Sequence, residues 1–168
     1  MNEQKTVVIR PFAQGDRDLV EDFFARMGAE SRAFFNSDGK NTRFALKFFE
    51  NDPQDRATVH RILAEADGKM VGYAFVWELD TGVPWFGIAI ADDYRGHGLG
   101  TRMTREIIDH CAGLGKGGIL LTTHVANIRA QILYQKCGFE RMGIHYGPVD
   151  AGEMLYLYRF DTPQKEIL

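Results

Sequence analysis

Apolar residues along the chain recur in two rhythms, one suited to strands and one to helices. Thr6 to Arg10 is a short β-rich run stopped by Pro11. Leu19, Val20, Phe23, Phe24 and Met27 follow helical spacing, with Asp16 placed to cap that helix and Gly28 placed to end it. The stretch from Ser31 to Asn41, around the Phe34-Phe35 pair, reads as a loop. Asn41 is placed to cap a second short helix that carries Phe44, Ala45, Phe48 and Phe49 on one face. Two strands are predicted over Ala57–Ala64 and Met70–Leu79, joined at Asp67-Gly68, a hairpin turn signal. The turn Asp80-Thr81-Gly82 leads to Trp85–Ala91, an apolar run suited to a central strand. Leu99, Met103, Ile107, Ile108 and Cys111 mark one face of a longer helix, broken by the glycines from Gly113 to Gly118. Ile119–Val125 reads as a strand, and Ile128–Lys136 as a helix ended by Gly138. Phe139–His145 and Met154–Phe160 read as final strands around a Gly147-Pro148 turn.

The predicted order is β-α-α-β-β-β-α-β-α-β-β. Hairpins in the middle require antiparallel pairing, whereas the strand–helix–strand from 85 to 125 suits a parallel crossover. The expectation is an α+β fold, a mixed and mostly antiparallel sheet flanked by helices. No repeat or linker divides residues 1–168, which are read as one domain of 168 residues.

Composition narrows the class of protein. With 45% hydrophobic and 26% charged residues the chain is neither disordered nor fibrous. No apolar run approaches the ~18 residues of a membrane span, and the start MNEQKTVVIRPF lacks the apolar stretch of a signal peptide. A cytoplasmic protein with no membrane partner is therefore expected. The net charge of −3 argues against a nucleic-acid partner. The two cysteines, Cys111 and Cys137, make no disulfide framework and read as packing residues. The histidines at 60, 97, 110, 124 and 145 lack metal-ligand spacing, so no metal is expected. The charged residues of the helix from 101 to 110 read as a solvated face.

Glycine changes the picture most. Of 18 glycines, eight lie between Gly87 and Gly118. Gly96, Gly98 and Gly100 follow a buried strand and lead directly into a helix. The first N–H groups of a helix lack intrahelical partners and sit at the positive end of its dipole. Backbone alone can bind a phosphate there, and missing side chains would let it come close. Arg95 can add a forked cation and Thr101 a hydroxyl. A Walker A loop is excluded because Thr101-Arg102 follows Gly100. The dinucleotide fingerprint GxGxxG is excluded because the three glycines are each two apart.

The run Arg95-Gly96-His97-Gly98-Leu99-Gly100 resembles the (Q/R)xxGx(G/A) motif of the GNAT superfamily of N-acetyltransferases. Downstream, Asn127, Ala130, Leu133-Tyr134, Lys136 and Gly138-Phe139 resemble that family's N-x-x-A-x-x-L-Y-x-K-x-G-F pattern. The resemblance covers residues 80 to 145 closely and the rest by architecture. It implies that backbone around Arg95, Gly96, His97, Gly98, Leu99 and Gly100, with Thr101, holds the pyrophosphate of acetyl-coenzyme A. It implies that Ile88, Ala89 and Ile90 pair with the pantetheine arm as an added strand would, one N–H polarising the acetyl carbonyl. Asn127 matches a residue that contacts pantetheine, and it equally suits a helix N-cap. Tyr134 matches the family's tyrosine near the sulfur, which protonates the leaving thiolate.

The implied function is transfer of an acetyl group from acetyl-coenzyme A to a primary amine of a small molecule or peptide by direct attack. Family members frequently form homodimers. The match thins at the general base. Many family members place a glutamate on the strand before the loop, where Trp85 and Phe86 stand here. Glu78, Asp80 and His124 are the candidates in its place. Arg32, Phe34, Phe35, Trp77, Trp85, Tyr146 and Glu153 are available to the acceptor side. The alternative is a coenzyme A-binding sensor or interaction domain of the same fold without turnover.

Overall fold

The computed structural model describes residues 6–146 and 152–161. Seven strands form one sheet: β1 (Val8–Pro11), β2 (His60–Ala66), β3 (Lys69–Trp77), β4 (Trp85–Ile90), β5 (Gly118–His124), β6 (Glu140–His145) and β7 (Glu153–Arg159), in the order β1-β2-β3-β4-β5-β7-β6. All neighbours pair antiparallel except β4 and β5. Alternation along β3 sends Tyr73 and Phe75 to one face and Ala74 and Val76 to the other, so each face has its own apolar core. On one face pack α5 (Leu99–Gly113) and α6 (Ile128–Lys136); on the other pack α1 (Arg17–Ala25), α2 (Ala29–Phe35), α3 (Lys40–Leu46) and α4 (Pro53–Thr58). The α+β class and the mixed, mostly antiparallel sheet agree with the sequence reading. No described helix is long and apolar enough to cross a membrane.

Four helices, rather than two, separate β1 from β2. The residues read as a loop after Ser31 are helical as far as Phe35, because Phe35 stacks on Phe24 (centroids 6.5 Å) and meets Tyr73 and Phe75. Gly28 starts α2 rather than ending α1. The strand expected from Ala57 begins only at His60. Asp52 accepts the Gln54 N–H (2.9 Å) and Pro53 occupies the first helical position, so residues 53–58 form α4. Asp16 precedes α1, but its buried carboxylate is held by both terminal nitrogens of Arg10 (2.7 and 2.8 Å) and by the Ala13 N–H. Gly39, at φ +72°, precedes α3; Asn41 instead donates to the Phe35 carbonyl. The expected Gly147-Pro148 turn lies outside the described residues.

Two features shape the cleft between these layers. Arg61, buried with Asp55 (side chains 1% and 2% exposed), grips it through two bonds of 2.7 and 2.9 Å and also donates to the Phe44 carbonyl (2.7 Å). Its guanidinium lies 4.6 Å from the centre of the Phe44 ring, which ties α3 and α4 to the sheet. The second feature is the junction of β4 and β5. The strands are joined at their starts, where Leu120 donates to Pro84, Gly117 donates to Gly82 and Trp85 lies opposite Leu120. Beyond that pair no ladder links them among the described residues, so they splay toward their carboxyl ends.

Candidate active site

The splay opens a cleft of about 1040 Å³ that runs from the start of α5 to the wall formed by α2 and α3. Ile88, Ala89 and Ile90 line it. Their edge facing β5 has no strand partner among the described residues, which leaves backbone donors and acceptors free to pair with an extended ligand.

At one end of the cleft, β4 runs through a short 3-10 turn at Asp92–Tyr94 into Arg95, Gly96, His97 and Gly98. Gly96 and Gly98 adopt φ of +76° and +79°, and a Cβ added at either would meet nothing within 4 Å. Their backbone conformation, rather than crowding, is what calls for glycine. Gly100 differs: a Cβ there would approach Leu133 Cδ2 at 3.1 Å, so its lack of a side chain lets α5 sit close to α6. Arg102 N–H is the donor that reaches the Gly98 carbonyl (3.1 Å), which leaves the N–H groups of Leu99, Gly100 and Thr101 ahead of the helical ladder. Gly98 supplies no side-chain cap. Together with the dipole of a 15-residue helix, these N–H groups make an arrangement suited to an anion.

Arg95 lines the cleft, but its guanidinium is already engaged. It donates to the Ser31 hydroxyl and pairs with Asp92 (3.0 Å), while Ser31 donates to the same Asp92 oxygen (2.7 Å). Ser31 is only 8% exposed, and the other Asp92 oxygen lies against Gly28 where no Cβ would fit. This three-residue clasp fastens α2 to the glycine loop. His97 is exposed and is not among the lining residues.

At mid-cleft, α6 begins at Asn127, whose side-chain oxygen caps it by accepting the Ala130 N–H (3.3 Å). Two turns further along the same helix, Tyr134 packs among Phe86, Phe139 and Tyr156 with ring centroids 5.9–6.3 Å apart. Tyr134 lines the cleft although only 6% exposed, and its hydroxyl bonds to no group among the described residues. Burial, followed by the neighbouring Tyr156 and Cys137, pushes its pKa up, so the phenol keeps its proton. Both cysteines are buried; burial lifts the Cys111 thiol to about 11 and raises that of Cys137. Neither is poised as a nucleophile.

Phe34, Phe35, Phe44, Phe75 and Trp77 also line the cleft, as do Asp38, Lys40, Arg43 and Lys47 of the α3 side and Glu153 of β7. Glu153 lies across from His124 in the β5–β7 ladder and across from His145 in the β6–β7 ladder. The pairing brings it to the sheet face on which the His124 ring meets Phe34 (5.3 Å). Of the base candidates from sequence, Glu78 is exposed at φ +58° in a tight turn, accepting from Thr81 through its carbonyl, and does not line the cleft. Asp80 is exposed beside it and does not line the cleft either. His124 does not line the cleft either, and its Nδ1 accepts the Ala126 N–H (3.1 Å). Arg32, Trp85 and Tyr146 also lie outside the lining, Arg32 being bound to the carbonyls of Met27 and Ala25. Glu153 is the cleft carboxylate on the β5–β7 side, with no ion-pair partner among the described residues. Among the described residues no cluster of His, Cys, Asp and Glu could hold a metal.

A splayed parallel pair beside a glycine loop and a helix start defines a cleft whose shape and free backbone donors suit an extended, anionic ligand. Residues 20–139 match the model of the acetyltransferase (GNAT) family. The chain is 30% identical over 96 residues to a Bacillus subtilis protein provisionally named as a ribosomal protein bS18-alanine N-acetyltransferase, covering 57% of this chain and 64% of that one. It is 33% identical over 89 residues to the N-alpha-acetyltransferase RimI of Mycobacterium tuberculosis, covering 51% and 54%. The matches thus span somewhat over half the length of these relatives. Among solved structures, AAC(6')-Ib in complex with paromomycin and acetyl-CoA superposes with a TM-score of 0.71 at 20% identity, over 92% of this chain and 93% of that one. The chain belongs to the acetyltransferase (GNAT) family.

Proposed function

We propose that the protein is an acetyl-coenzyme A-dependent N-acetyltransferase acting on a primary amine of a small molecule or peptide. The carrying observation is the continuous cleft that joins unpaired N–H groups at the start of α5, a free strand edge on β4 and the unpartnered hydroxyl of Tyr134. The cosubstrate supplies a thioester carbonyl and a thiolate leaving group. The N–H groups of Leu99, Gly100 and Thr101 receive its pyrophosphate, and Ile88 to Ile90 offer their edge to the pantetheine. A β4 backbone N–H donates to the carbonyl oxygen, a contact typically worth about 2.7–4 kcal/mol in related oxyanion sites. As the C–N bond forms and the C–S bond breaks, Tyr134 gives its proton to the sulfur. Glu153, directly or through water, takes the proton that the amine loses.

A relative whose name specifies alanine N-acetylation of a ribosomal protein, another named an N-alpha-acetyltransferase, and a structural neighbour bound to an aminoglycoside support amine acetylation as the reaction class. Titration calorimetry with acetyl-coenzyme A, repeated with ATP in competition, tests the cofactor half of the reading. Saturable binding of acetyl-coenzyme A that ATP does not displace at equal concentration is expected. Tighter binding of ATP would replace the reading with a nucleotide site.

A further inference from the structure

The acceptor end of the cleft carries an arrangement of charge that bears on which amine it takes, given the acetyl-transfer reading above. Its α3 wall presents Lys40, Arg43 and Lys47. Arg43 donates to the Asp38 carbonyl (2.9 Å), and Asp38 spends its carboxylate on the Lys40 backbone N–H (3.0 Å). No carboxylate lies in ion-pair range of the Lys40 or Arg43 side chains among the described residues, while Lys47 is 3.6 Å from Asp52. Glu153, at the start of β7 and opposite His124, lines the same cleft and pairs with no cation among the described residues. An ammonium is attracted to the Glu153 side, beside the splay of β4 and β5 where the reacting carbonyl is held. A second or third ammonium on the same molecule would meet the cations of α3, where the one carboxylate of that wall, Asp38, already lies under the charges of Lys40 and Arg43. An anionic group at that position would instead find two donors with free capacity.

We infer that the acceptor is a mono-amine with an apolar or ring-shaped body and an anionic group at its far end, the anion held by Lys40 and Arg43 and the ammonium by Glu153. A carboxylate and a phosphate share this chemistry. Matched pairs distinguish them: L-phenylalanine against L-phenylalaninamide, and glucosamine 6-phosphate against glucosamine, with spermidine as the polycation. Acetyl-coenzyme A binding is first measured by calorimetry, then the binding of each amine to the coenzyme A-loaded protein, then KM by thiol release. The anionic member of at least one pair is expected to show a KM roughly tenfold below its neutral partner, as one charge-assisted contact gives. The pair that responds identifies the anion. Arg43→Gln and Lys40→Gln, made separately, should each move that ratio toward one. Failure to bind acetyl-coenzyme A would strike the functional reading itself. Binding of acetyl-coenzyme A together with preference for spermidine or the neutral amines, no binding of either anionic amine, or a ratio indifferent to both substitutions would overturn the acceptor assignment alone.

Discussion

Replacing Tyr134 with phenylalanine separates what the residue does for the fold from what it does for the reaction. The ring is held by Phe86, Phe139 and Tyr156, contacts that phenylalanine keeps. The lost hydroxyl bonds to nothing among the described residues, so none of the ~0.5–1.5 kcal/mol of an ordinary hydrogen bond is forfeited. The melting temperature should therefore stay within about 2–4 °C, the change expected for 1 kcal/mol in a domain of this size. Acetyl-coenzyme A affinity should also hold, because the pyrophosphate and strand-edge contacts lie elsewhere in the cleft. Loss of a positioned proton donor, however, removes about 10²–10⁴ in rate, or roughly 2.7–5.4 kcal/mol of barrier. Slow product release would mask part of this in steady state, so single-turnover thiol release under saturating cosubstrate is the suitable assay. A rate at least tenfold lower with unchanged affinity is expected, the lower bound allowing for water as substitute donor. A rate within threefold of the parent, in a folded protein and with an efficient acceptor, would remove Tyr134 from the reaction.

Gly98→Ala should fold, since its Cβ meets nothing, at a cost of about 1–2 kcal/mol for a left-handed alanine. Calorimetry should show acetyl-coenzyme A affinity falling by more than that stability loss explains, as the N–H groups that follow lose their aim. Ser31→Ala breaks the clasp between α2 and the glycine loop at about 1 kcal/mol. It should raise the acceptor KM several-fold while cosubstrate affinity stays within about twofold, roughly 0.4 kcal/mol. His60 stacks on His110 (centroids 3.8 Å, 13°), and burial together with that neighbour depresses its pKa from 6.5 to about 4. As pH falls below 6.5 the unfolded chain takes up this proton before the folded one does, so stability present above 6.5 is lost progressively toward pH 4. Melting curves across that window should steepen in the parent and flatten in His60→Asn.

Legibility in the sequence followed the range of the interactions concerned. Helix α6 agrees at both ends with Ile128–Lys136, because Asn127 and Gly138 punctuate it locally. The central strand and the glycine loop were equally local. The helices between β1 and β2 were harder. Phe34 and Phe35 look like loop residues until Phe24, Tyr73 and Phe75 surround one of them, and Asp52-Pro53 is a helix start hidden before a β-rich run. The site divides the same way. Ile88 to Ile90, Arg95, Gly96, Gly98, Leu99, Gly100, Thr101, Asn127 and Tyr134 converge on one cleft, whereas Glu78, His97 and His124 stay outside it. Glu153 joins it only through the register of β5 with β7, and Arg95 is claimed by Ser31 from sixty-four residues away, pairings that no local spacing encodes.

The most direct test of the account is thiol release from acetyl-coenzyme A with and without an amine acceptor, followed by mass analysis of the acceptor. Release that depends on the amine, matched by the gain of one acetyl group on nitrogen and lost in Tyr134→Phe, is the expected result. Tight binding of acetyl-coenzyme A with no acceptor-dependent release across carboxylated, phosphorylated, neutral and polycationic amines would contradict it, leaving a binding domain of the same fold.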